Sequence, residues 1–140
     1  MTTPSAWITT WQTLAVAGVS TKSYPPLSLT NVRLPAVFPV NWSVNRVLSG
    51  GDDIAIGGCA ADDYAVEYAV TMYLPTEAVS QSNQETNYTA LGAIVDAFKA
   101  SLDAVDVVAA IEYTLDVGAT VEVAGSLYWG VIAEIKGRNE

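Results

Sequence analysis

Chemistry in this chain would have to start from two pairs of neighbouring carboxylates. Asp52-Asp53 and Asp62-Asp63 bracket the glycine pair Gly57-Gly58 and Cys59. Adjacent carboxylates can ligate a hard divalent cation. Their spacing is not that of a calcium loop, and aspartates beside glycine are more often solvated turn residues. Gly50-Gly51 and Gly57-Gly58 invite comparison with phosphate-binding loops. Neither pair leads into Lys-Ser or Lys-Thr, and neither has the spaced glycines of a dinucleotide site. Both read as flexible connections. Cys59 has no basic neighbour in sequence that would lower its pKa. The chain contains no histidine, the commonest general base and metal ligand. No lysine and serine fall in a recognisable nucleophilic arrangement. Neither an active site nor a cofactor or metal site is expected, and an enzyme is the weakest functional class.

Composition narrows the classes further. The 140 residues are enough for one domain. Hydrophobic residues make up 51% and charged residues 15%, which is apolar and charge-poor for a soluble monomer. An assembly would bury surface that a monomer must expose. Six basic residues face 15 acidic ones, for a net charge of −9. Nucleic-acid affinity rests on basic residues that displace counterions from phosphates. Tight binding to DNA or RNA is therefore not expected, nor is docking on an anionic membrane. A single cysteine rules out an intrachain disulfide and fits a reducing compartment. Met1-Thr2-Thr3-Pro4 does not lead from a basic region into a long apolar run, so a secretory signal is not expected. The most apolar window, 104–111, is too short to span a bilayer.

The elements that would position any site can be read from periodicity. Residues 64–74 alternate: Tyr64, Val66, Tyr68, Val70, Met72 and Leu74 fall on one face, and Ala65, Glu67, Ala69, Thr71 and Tyr73 on the other. A strand sends alternate side chains to opposite faces. This is a long central strand with one large apolar face, and Pro75 is expected to end it. Trp7, Ile8, Trp11, Leu14 and Ala15 form a helical stripe over 5–16, capped by Thr3 or Ser5 and stopped by Gly18. Leu91, Ile94, Val95, Phe98 and Leu102 form a second stripe over 89–103. The apolar run 34–40 carries Pro35 and Pro39, which confine it to an edge or an interruption. The chain continues extended to 48, with Trp42, Val44 and Arg46 on one face. Alternation over 107–115, a turn at 116–119, a short strand at 120–123, a last strand at 127–136 and a tail at 137–140 complete the chain. Residues 80–87 contain no apolar side chain, so a mobile polar loop is expected over about 77–88. The order predicts a single α+β domain, residues 1–140, with a mostly antiparallel sheet and two helices packed on its apolar face.

Five features together resemble the tail terminator, or tail completion, proteins of long-tailed bacteriophages. They are the N-terminal helix, the Leu-Pro-Ala-Val-Phe-Pro segment at 34–39, the central strand at 64–74, the helix at 89–103, and the closing strand with Tyr128-Trp129-Gly130-Val131. The resemblance spans nearly the whole chain and lies in layout more than in letters. It implies a virion structural protein, assembled in the host cytoplasm, that forms a ring commonly of six subunits. The ring caps the tail tube, stops its polymerisation and meets the head connector, while DNA passes through the lumen unbound. Under this resemblance Asp52, Asp53, Asp62 and Asp63 would line the lumen and repel phosphates. Gln81, Ser82, Asn83, Gln84, Glu85 and Thr86 would dock on the tube. Another neck or head–tail joining protein is the neighbouring alternative. A cytoplasmic domain whose concave apolar face holds a small ligand or peptide is the alternative from a different class.

Overall fold

The computed structural model describes residues 3–29, 32–48, 64–79, 84–105 and 112–139. Among these residues two helices and five strands follow in the order α1 (Pro4–Gln12), β1 (Ser20–Thr21), β2 (Ala36–Leu48), β3 (Tyr64–Ala78), α2 (Gln84–Asp103), β4 (Glu112–Val123) and β5 (Ser126–Asn139). The strands form one sheet in the order β1-β2-β3-β5-β4. The short β1 pairs parallel with β2, and all other pairs are antiparallel. This is the expected α+β architecture.

β3 lies between two long neighbours, and its two-residue period divides the molecule. Tyr68, Val70, Met72 and Leu74 are buried on one face, together with Val131, Ala133 and Ile135 of β5. Trp7, Ile8 and Trp11 of α1 and Leu91, Phe98 and Leu102 of α2 pack on that face. The Trp7 ring stacks on Tyr68, with centroids 4.9 Å apart and planes at 19°. Trp11 meets Trp7 edge-on at 5.7 Å. Both helices therefore share one face, as the stripes require. A second, smaller cluster covers one end of the opposite face. There Leu29, from the connection after β1, packs with Phe38, Val121 and Val123.

Several boundaries differ from the sequence reading, each for a physical reason. α1 ends at Gln12 and not near Val16. Thr9, Thr10 and Thr13 turn their hydroxyls back onto the carbonyls of Ser5, Ala6 and Thr9, a bonding pattern that weakens a helix. Gly18, with φ of +76°, instead sits in the tight turn closed by Val16 and Val19. At the start, Thr3 caps the helix: its hydroxyl accepts from the Ala6 amide at 3.2 Å.

Pro75 does not end β3. The strand continues to Ala78 through a register shift between Pro75 and Glu77, and Thr76, the extra residue, donates its hydroxyl to the Trp129 carbonyl at 2.9 Å. The expected turn at 116–119 is likewise a bulge inside a continuous β4, with Gly118 at φ +82°. The expected tail at 137–140 is strand through Asn139, because Gly137, Arg138 and Asn139 pair with Tyr68, Glu67 and Val66. The polar loop also shrinks: Glu77 and Ala78 belong to β3, and α2 begins at Gln84, five residues before Thr89. For the proline-bearing strand both expectations hold. β1 flanks β2 only at Ala36 and Val37, and the register shifts between Pro39 and Asn41.

Gly130 lies opposite Pro75 at the β3 bulge. A Cβ there would press into the Leu74 carbonyl and the Pro75 Cα. Gly92, on the exposed side of α2, has nothing within 4 Å. Gly130→Ala should destabilise the fold by about 1–3 kcal/mol through overpacking. Gly92→Ala should stabilise it by about 0.5–1 kcal/mol. Urea denaturation of the two variants checks both signs, and a neutral Gly130→Ala would mean that the backbone crossing relaxes freely.

Candidate functional site, the open sheet face

Away from the second cluster, no described element covers the face of the sheet turned from the helices. Alternation puts Asn41, Ser43 and Asn45 of β2 there, beside Thr71, Ala69 and Glu67 of β3. β5 adds Glu134, Lys136 and Arg138, and β4 adds Glu112 and Thr114. All these side chains point one way because none of the register shifts falls within this block. The face holds an open depression of about 470 Å³ between Ser43, Asn45, Glu67, Lys136 and Arg138. A smaller one of about 330 Å³ adjoins it around Asn41, Thr71 and Glu134.

Both cations of this face lie across from carboxylates, and Glu134 leaves it one negative charge in excess. Lys136 Nζ lies 3.4 Å from Glu112 Oε1, and Arg138 Nε lies 3.8 Å from Glu67 Oε2. Directly opposed charges of unlike sign stabilise a strand pair modestly. Each cation already faces a carboxylate, so the face presents no uncompensated positive surface to a phosphate chain. The spacing of Lys136 and Arg138, two apart on a strand, was the available signal, hidden by reading 137–140 as a tail.

A second polar constellation went unnoticed in the sequence. At the C-terminal end of α2, Lys99 Nζ donates to Asp103 Oδ2 at 2.6 Å, and the Tyr113 hydroxyl donates to Asp103 Oδ1 at 2.6 Å. The Lys99 bond, and then the Tyr113 bond, hold the Asp103 carboxyl below the ordinary aspartate range. The same carboxylate raises the Tyr113 and Lys99 pKa values. With its proton held, Tyr113 serves as a donor tying β4 to α2. The chemistry of this group is attachment: it joins a helix to the outermost strand.

Asp52, Asp53, Asp62 and Asp63, with Cys59 and the glycine pairs, lie outside the described residues. So do Gln81, Ser82 and Asn83. Gln84, Glu85 and Thr86 form the first turn of α2, where Glu85 and Thr86 are exposed. A carboxylate in the first turn favours helix over loop. Among the described residues no three potential metal-ligating side chains converge, and no helix is long and apolar enough to cross a membrane.

Because Asp103 is more acidic folded than unfolded, its bonds stabilise the fold above the unfolded carboxylate pKa. That contribution disappears as pH falls through the lower folded value. Asp103→Asn should therefore melt below the parent at pH 7, with the gap closing on acidification below about pH 4. Melting curves across pH test this, and a gap that does not change with pH would separate the effect from the charge. In comparisons with family models, curated proteins and solved structures, the chain finds no match.

Proposed function

We propose that this chain is a structural protein of a long-tailed bacteriophage virion, a tail terminator. Its subunits form a ring, with six as the expected number, on the head-proximal end of the tail tube. The ring ends tube growth and gives the head connector a surface, and DNA passes through its lumen. The observation that carries this reading is a sheet whose outer edges and half of one face stay open among the described residues. One half of one face is open. Its outermost strands, β4 along its length and β2 beyond Val37, have no strand outside them among the described residues. A chain with 51% hydrophobic and 15% charged residues gains by completing such a sheet with neighbours.

Two further features support it. The apolar face that a small ligand would need is filled by α1 and α2, and the open face is polar and ion-paired. A net charge of −9 per subunit, multiplied around a ring, suits a conduit that repels phosphates. In this reading Asp52, Asp53, Asp62 and Asp63 face the lumen, and the segment 81–86 meets the tube.

Native mass spectrometry of the protein, alone and mixed with the tail-tube protein, should give a closed oligomer in at least one sample. Tubes grown with the protein should stop at a capped end in electron micrographs. A monomer in both samples, with tubes of unrestricted length, overturns the proposal. Changing the four aspartates to asparagine should slow DNA ejection with assembly intact, and unchanged ejection removes their lumen role.

A further inference from the structure

The two edges of the sheet have different chemistry. Beyond Val37, β2 has no strand on its outer side among the described residues. Its one charged residue is Arg46. β4 is outermost at the other side and carries Glu112, Asp116 and Glu122 with no cation. Each edge also exposes apolar side chains on the helix side: Trp42 at 44% and Val44 at 46% on β2, and Val117 at 45% on β4. An open strand edge offers rows of N–H and C=O groups that template pairing with another chain.

We propose that β2 of one copy pairs antiparallel with β4 of a second copy, so that the sheet continues from subunit to subunit. The inference names the contact of the ring proposed above and rests on that reading for closure. β2, β3, β5 and β4 alternate in direction. A second copy placed beside β4 with its helices on the same side therefore presents β2 in the antiparallel sense. Setting Trp42 opposite Val117 puts Val44 opposite Leu115 and Arg46 opposite Tyr113, next to the Asp103 carboxylate. On the polar side Ser43 meets Asp116. The apolar patches of both edges are covered in one step.

Within one subunit Trp42 is level with Tyr113, through Val70 and Ile135. The register above therefore staggers neighbouring copies, as closing a sheet into a cylinder requires. Pairing like edges is poorer. β4 against β4 sets carboxylates against each other. β2 against β2 covers Trp42 and Val44 but leaves Val117 bare. Unlike edges make a head-to-tail contact, which closes into a ring when the rotation permits.

The test uses the full chain with Cys59→Ser, carrying Ser43→Cys and Asp116→Cys together or singly. Under mild oxidation the double variant should lose most of its monomer band to a reducible ladder that ends at the ring number. A mixture of the two single variants should give dimers, and each single variant alone none. Trp42→Glu, at an exposed site, should still melt cooperatively and shift the native mass spectrum to monomer. Dimers from Ser43→Cys alone, or no cross-link where the chain is assembled or with tube present, overturn the proposal. A ladder from a protein that fails to cap tubes upholds the edge contact and overturns the terminator reading.

Discussion

The alternation of β3 is the constraint on which the rest of the molecule depends. Tyr68, Val70, Met72 and Leu74 face both helices, and a slip of one residue would send every one of them to the opposite side. The stack of Trp7 on Tyr68 then fixes where α1 can lie. Leu91, Phe98 and Leu102 fix α2 on the same face. Ser101 ties the two ends together by donating its hydroxyl to the Ala15 carbonyl at 2.7 Å. Once that face is filled, the part of the other face outside the cluster of Leu29, Phe38, Val121 and Val123 can remain polar.

Those parts were legible in the sequence because they follow from burial. The apolar face of β3, the stripe of α2 and the shared side of the helices are all periodic. The misread parts are those where the backbone satisfies itself by other means. Pro75 read as a stop, yet Thr76 occupies the bulge and bonds across to Trp129. Residues 116–119 read as a turn, yet Gly118 is one left-handed residue in a continuous strand, with the Tyr88 ring beside it. The first turns of α2 show no apolar period, and Glu85, Thr86, Tyr88, Thr89 and Ala90 there are exposed. The end of β5 was invisible for a related reason: Gly137 and Arg138 contribute backbone pairing where no apolar side chain announces it.

The functional surface was less legible than the core. A cross-strand pair such as Lys136 with Glu112 depends on register, which a linear pattern does not carry. The Asp103 network joins a helix end to a strand ten residues on, and its members look like ordinary surface residues until the two elements meet. Composition said more about assembly than any motif did. The chain is poor in charge, and the described residues leave one half of a sheet face open.

The four tryptophans have unequal surroundings. Trp7 and Trp11 are sealed in the core and Trp129 is half-buried, whereas Trp42 is the exposed one, on the margin of the sheet. The emission of the chain therefore divides into an interior component and a single wetted component. A soluble quencher reaches the second far more easily than the first. The protein carries, without any label, an optical gauge of whether that margin is covered.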